Sequence, residues 1–256
     1  MLKGIDISSY QAPAKIDYDK IAGQVDFVIL RAGFTGYGTV FSLNKDSAFE
    51  RHYAEFLKRG VPMGAYWYSC ANTEAEGIRE AENLLALVKG KRFEWPLWFD
   101  TEDNYHQRPT SKAKLTDTAI AFLKTIEVAG YFAGYYCSTY WERDELDMNR
   151  LKPYANWQAD YRKTIYLTKE DCGIWQYSSS GKLDGYSGNL DMNSAFINYG
   201  ALVKSVGLNH LKESEIKTYD VIAGDSLESI AKKLNVSVDH ISSLNEFVQV
   251  GQKLKY

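Results

Sequence analysis

Trp95-Pro96-Leu97-Trp98-Phe99-Asp100-Thr101-Glu102 is almost wholly apolar until two carboxylates appear two residues apart. Read as a strand, it places Trp98, Asp100 and Glu102 on one face, because successive side chains of an extended chain alternate. Outward from it, short runs rich in β-branched and aromatic residues recur at 4–8, 27–32 and 63–68 before it, and at 132–137, 154–158, 173–177 and 189–192 after it. Longer amphipathic stretches lie between them at 44–59, 73–88 and 110–129. In the last of these, Ala119, Phe122, Leu123 and Ile126 share one helical face. Such alternation is the pattern of repeated βα units, and with the run at 96–102 it makes eight candidate strands. The fold predicted for residues 1–200 is an irregular TIM-like α/β barrel, with the later units shortened.

Past residue 198 the strand pattern stops, and the mixed polar stretch with Gly200, Ser205, Gly207 and Ser214 reads as a linker over 201–216. A small second unit follows at 217–256. It has a strand at 218–221, a turn at Ala223-Gly224-Asp225, a helix from Ser226, a short helix at 238–244 and a final strand at 253–256. Leu227, Ile230, Ala231 and Leu234 keep helical spacing, and Asp225 with Glu228 is placed as a capping box. The plan is βααβ.

With 30 Lys and Arg against 33 Asp and Glu, the formal net charge of -3 lacks the basic excess of a nucleic-acid binder. No apolar run approaches the roughly 20 residues that span a bilayer. The opening Met1-Leu2-Lys3-Gly4-Ile5-Asp6 passes straight into a strand-like segment, so no export signal is expected. Cys70, Cys137 and Cys172 are an odd set without metal-like spacing and read as buried thiols. His52, His106, His210 and His240 show no His-x-x-x-His spacing and read as surface residues, which leaves a zinc hydrolase unsupported. No Gly-x-Ser-x-Gly elbow is present for a serine nucleophile.

Carboxylate chemistry is what remains. In a parallel α/β barrel the reactive residues stand at the carboxyl ends of the strands, where Asp6, Asp100, Glu102 and Asp191 are expected. Two carboxylates side by side in a partly apolar cleft cannot both ionise easily, so one becomes an acid beside a stabilising anion, as glycosidic cleavage requires. The alternative for the pair is the start of a solvated loop, since Asp103-Asn104-Tyr105 follow directly. The 19 tyrosines and 6 tryptophans suit either sugar stacking or core filling.

Several ordered motifs resemble glycoside hydrolase family 25, the Chalaropsis-type lysozymes that include many phage endolysins. They are Lys3-Gly4-Ile5-Asp6-Ile7-Ser8-Ser9-Tyr10-Gln11, Phe27-Val28-Ile29-Leu30-Arg31-Ala32, Gly64-Ala65-Tyr66-Trp67-Tyr68, Phe99-Asp100-Thr101-Glu102, Ala133-Gly134-Tyr135-Tyr136, Ile174-Trp175-Gln176-Tyr177 and Asn189-Leu190-Asp191-Met192-Asn193. The resemblance implies Glu102 as general acid, Asp100 as the anion that stabilises the transition state, and Asp6 and Asp191 as further cleft carboxylates. It implies Tyr66, Tyr68, Tyr136, Trp157 and Trp175 as the stacking floor, and Arg31 and Gln176 as polar contacts. The implied reaction is cleavage of the β-1,4 bond between N-acetylmuramic acid and N-acetylglucosamine, without metal or organic cofactor, by a monomer that meets neither nucleic acid nor membrane. One departure is Trp67-Tyr68-Ser69, where many relatives carry His-Phe-Ala. The last forty residues resemble a LysM module, through Ala223-Gly224-Asp225-Ser226-Leu227, Leu244-Asn245 and Val250-Gly251-Gln252-Lys253-Leu254. That implies binding to N-acetylglucosamine-containing chains by loops 224–227 and 245–248. Rival readings are a family 18 chitinase-like barrel, which would need further Asp residues where Trp95 and Trp98 stand, and a catalytically silent wall-binding protein.

Overall fold

In the computed structural model the described residues are 1–36, 41–164, 166–211, 218–234, 236–238, 241–242 and 249–255. The chain divides into two compact units, Met1–Leu211 and Lys212–Tyr256. In the first, strands β1 (Leu2–Ile7), β2 (Phe27–Thr35), β3 (Leu43–Lys45), β4 (Met63–Ser69), β5 (Leu97–Thr101), β6 (Ala133–Ser138), β7 (Ala155–Ala159), β8 (Ile174–Leu183) and β9 (Tyr186–Ala195) form one sheet. Its order is β1-β9-β8-β7-β6-β5-β4-β2-β3, and β1 also pairs with β2. Eight strands therefore close into a barrel, with β3 added to β2 outside the ring.

The ring is parallel except at its seam, where β9 runs antiparallel to both β8 and β1. The two seam strands are ten residues each, longer than the sequence pattern suggested, because a hairpin turn joins them directly. The helical stretch expected from residue 44 starts later. Asn44 and Lys45 pair with Phe34 and Gly33 as β3, and helix α2 spans Phe49–Lys58.

Alternation along each strand builds two cores. On β2, Val28 and Leu30 face outward and join Phe99 of β5 beneath α2, α3 (Glu74–Val88) and α4 (Lys112–Val128), where Ala119, Phe122, Leu123 and Ile126 are all buried. Phe27 and Ile29 face inward, with Trp98, Tyr136, Trp157 and Ile174. The Trp98 indole fills the middle of the barrel. A Cβ on Gly134 of the neighbouring β6 would collide with its ring, so glycine there makes room for it. Polar caps start the outer helices: Thr73 accepts from the Glu76 backbone N–H while Glu76 accepts from the Asn72 N–H, and Ser111 opens α4.

Residues 201–211 are not a linker. Helix α7 (Tyr199–Ser205) drives the Tyr199 ring under the barrel, edge-on to Trp95, Trp98 and Phe132 at 5.7–5.9 Å. Asn209 is buried behind it, donating to the Phe93 and Trp95 carbonyls and accepting from the Phe132 N–H. This stretch is the floor of the barrel. Its helix is too short for the periodic signal that marks longer ones.

In the second unit, β10 (Thr218–Asp220) pairs antiparallel with β11 (Lys253–Lys255), and α8 (Leu227–Leu234) packs Ile230 and Ala231 with Val221, Ile241 and Leu254. The capping pair is Ser226 with Ser229, each hydroxyl accepting from the other's backbone N–H. Asp225 is unavailable for that role. Its carboxylate turns back to accept from Ile222 N–H, Tyr219 Oη and Lys233 Nζ. Val238, Ile241 and Ser242 are helical as expected; residues 239–240 and 243–244 lie outside the described residues, as do the expected sugar loop at 245–248 and Tyr256. Among the described residues no helix is long and apolar enough to cross a membrane.

Candidate active site

At the carboxyl ends of the parallel strands the barrel opens into a cleft of about 740 Å³, including its open mouth. Asp6, Arg31, Tyr66, Tyr68, Asp100, Glu102, Tyr136, Trp157, Gln176 and Asp191 all line it. The register explains their convergence: Tyr68, Asp100 and Tyr136 are lateral neighbours on β4, β5 and β6, while Asp6 and Asp191 are paired across the seam. Asp191 reaches this mouth because β9 runs backwards. On a parallel strand its place, five residues before Phe196, would lie below the rim.

Trp175 is the exception. Gln176 takes the inward position on β8, so Trp175 points outward, stacks edge-on with Tyr166 and Tyr177, and donates its indole N–H to the Asp160 carbonyl at 2.8 Å. In its place stands Tyr161, on the loop after β7, a cleft residue with no periodic signal in the sequence. Its hydroxyl donates to Gln176 Oε1, as does that of Tyr136 at 2.8 Å.

These contacts fix Asp6. With both phenols on its carbonyl oxygen, Gln176 must turn its amide N–H₂ to Asp6 Oδ2, 2.8 Å away. Asn193 does the same from the other side at 2.8 Å, its own oxygen held by the Trp157 indole N–H. Arg31 is committed to the wall of the cleft. Its guanidinium donates to Asp46 and to Ser9 Oγ, at 2.7 and 3.0 Å, and lies over the rings of Tyr10 and Phe34. His52, expected at the surface, is buried beneath the same loop between Tyr18 Oη and the Ser8 carbonyl.

The four carboxyls occupy different environments. Asp6 and Asp100 are buried, and burial holds both well above the usual carboxylate range. Asp191 adds to the effect on Asp6, and Glu102 and Asp6 add to it on Asp100. Asp100 Oδ1 is buried without a hydrogen-bond partner among the described residues, an acceptor left for an incoming donor. Asp191 is pushed up to about 6 by loss of water. Glu102, one residue beyond β5, is exposed on its open side yet walled in around its carboxyl. That loss of water, with Asp191 and Asp103 nearby, pushes it up to about 7. A rim acid that keeps its proton near neutrality beside Asp191, which gives up its own about one unit lower, divides acid from anion within one site.

Residues 5–186 match glycosyl hydrolases family 25. The chain belongs to that family. Residues 219–255 match the LysM domain. The autolytic lysozyme of Clostridium acetobutylicum is 26% identical over 192 residues, covering 75% of this chain; the chain spans 55% of the length of that relative. The modular autolysin LytC from Streptococcus pneumoniae, solved with a synthetic peptidoglycan ligand, superposes with a TM-score of 0.65 at 23% identity, over 75% of this chain and 46% of its own. The catalytic domain of endolysin ply40 from bacteriophage P40 of Listeria monocytogenes gives 0.64 at 22%, over 80% and 97%. At these identities the two structural likenesses speak to the fold. For this family 25 chain the outcome is an eight-stranded barrel whose one polar mouth gathers the carboxyls, followed by a LysM domain.

Proposed function

We propose that the chain is a lysozyme of the endolysin type, hydrolysing the β-1,4 bond between N-acetylmuramic acid and N-acetylglucosamine in bacterial peptidoglycan. The observation that carries this reading is the meeting of Glu102, Asp100, Asp6 and Asp191 in one cleft, with Glu102 held at about 7. Family membership and the peptidoglycan ligand of the LytC structure support the substrate. Glu102 protonates the leaving glycosidic oxygen. Asp100 stabilises the positive charge that develops at the anomeric carbon, its unpartnered Oδ1 accepting from the substrate's acetamide N–H. Asp191 assists as an anion, and Asp6 holds the cluster in place. Tyr66, Tyr68, Tyr136, Trp157 and Tyr161 offer ring faces and hydroxyls to the sugars.

The LysM unit holds N-acetylglucosamine-containing strands and so raises the local substrate concentration for the barrel. The enzyme acts as a monomer on the wall, reached through a membrane pore made by another protein or after lysis. Digestion of purified peptidoglycan tests the reaction: new reducing ends carrying muramic acid are expected, and N-acetylglucosamine ends would refute it. Full clearing of wall fragments by Glu102→Gln would remove Glu102 from the role of acid.

A further inference from the structure

Among the described residues one cluster of ligating side chains contains none of the four cleft carboxyls. The loop after β4 carries Cys70, and the loop after β5 carries Asp103 and His106; one ligand atom from each lies within 4.8 Å of the other two. Cys70 and Asp103 are buried, while 33% of the His106 side chain is open to solvent, so an ion and its water have a way in. Asp103 Oδ2 is fixed by its own loop. It accepts from the backbone N–H groups of Tyr105 and His106 at 3.1 and 2.5 Å and lies 3.0 Å from His106 Nδ1.

The surroundings of the thiol are negative. Cys70 faces the carboxyls of Asp103, Glu80 and Asp100. Glu80, wholly buried, accepts from the Cys70 and Ala71 N–H groups at 3.2 Å, and its Oε2 has no hydrogen-bond partner among the described residues. A cation here would offset the negative charge of the Asp103 carboxylate and of a Cys70 thiolate. Sulfur, carboxylate and imidazole together are the donors of zinc-class ions, bound at about 2.3, 2.0–2.2 and 2.0–2.1 Å, with water in the fourth position of an open site. Donor atoms on one such ion stand about 3.3–3.8 Å apart, so the separations here, at most 4.8 Å, narrow where they exceed that when the ion binds.

We propose that Cys70, Asp103 and His106 form a binding site for a divalent transition-metal ion of the zinc class. Cysteine binds as the thiolate and its proton passes to solvent, so affinity rises with pH. The ion ties the loop after β4 to the loop after β5, bracing the rim from which Glu102 projects. None of its three ligands is one of the four cleft carboxyls, and the site stands or falls independently of the lysozyme reading.

Cobalt gives the test, because a cobalt–thiolate bond adds a charge-transfer absorption in the near ultraviolet that the free ion lacks. The full chain, stripped by chelator and kept reduced, is titrated with Co²⁺. The band should saturate at one ion per chain, vanish on addition of Zn²⁺, survive in Cys137→Ser and Cys172→Ser, and be lost in Cys70→Ser. His106→Ala, at a partly exposed position, keeps its circular dichroism spectrum and weakens Co²⁺ binding by at least about tenfold, no less than an outer-shell partner contributes. Absence of the band in the unaltered chain, its persistence in Cys70→Ser, or unchanged affinity in His106→Ala would each overturn the site.

Discussion

At the carboxyl ends of the barrel strands the inward side chains are Asp6, Arg31, Tyr66, Asp100 and Gln176; lower on the same strands they are Phe27, Ile29, Trp98 and Ile174, closed beneath by Tyr199. The period-2 rule governs both ends equally, so what differs is only which residue type occupies each inward position. The lower layer is mostly rings and aliphatic side chains, with few polar atoms, and the Trp98 indole N–H has no partner among the described residues. The upper layer crowds four carboxyls against one guanidinium, an arrangement that lowers stability and creates reactivity. The difference teaches that one end of the barrel supports the chain so that the other can hold charges that a fold alone would reject.

Substitutions at the two ends should therefore move stability and turnover in opposite ways. The largest effect expected is in Glu102→Gln, which should lower kcat on purified peptidoglycan by about 10²–10⁴-fold without loss of thermal stability. Next is Tyr199→Ala at the floor. It should cost about 3–5 kcal/mol in denaturant unfolding and leave kcat per folded molecule near that of the unaltered enzyme. A loss of turnover in excess of the loss of folded protein would show that the floor shapes the mouth. Smaller is Asp100→Asn, an inactive variant expected to be more stable at neutral pH by about 0.5–2 kcal/mol. The sign follows from the raised affinity of Asp100 for its proton. Such a group favours the folded state while protonated, and that contribution is lost as pH rises from the unfolded value through the folded one. A lower melting temperature at pH 7 than the unaltered chain would contradict it.

The pH profile sharpens the same contrast. Activity should fall above about 7, as Glu102 loses its proton, and below about 6, as Asp191 gains one, giving a narrow bell in kcat/KM. Unfolding of Tyr199→Ala should show no new limb in that range. The smallest effect belongs to Trp175→Ala, which should leave KM unchanged, whereas Tyr161→Ala should raise it. Equal behaviour of the two would mean that the outward position on β8 contacts substrate after all.

The barrel and most of the cleft were legible because both rest on alternation. Asp100 and Glu102 could be placed together from their spacing alone, and Asp6 from the end of its strand. Direction was not legible. A run such as 189–192 carries the same signal whether it goes up or down the barrel, so the antiparallel seam and the pairing of Asp191 with Asp6 appear only in the structure. Trp175 lies one residue out of phase: in Ile174-Trp175-Gln176-Tyr177 the two aromatics share one face, and only register says that this face is the outer one. Tyr161 and the Cys70–Asp103–His106 cluster lie on loops, where side chains meet across distances in sequence that no period describes. The floor helix escaped because Tyr199 and Val203 are its only buried residues, too few to set a rhythm.

The seam also sets a schedule for the molecule's birth. Strand β1 leaves the ribosome well before its partner β9, which emerges almost two hundred residues later and brings the Asn193 amide that steadies Asp6. At 5–20 residues per second this is a wait of roughly 10–40 s, during which β1 has β2 on one side and an open edge on the other. The carboxyl cluster thus stays incomplete on every nascent chain until its barrel is nearly finished.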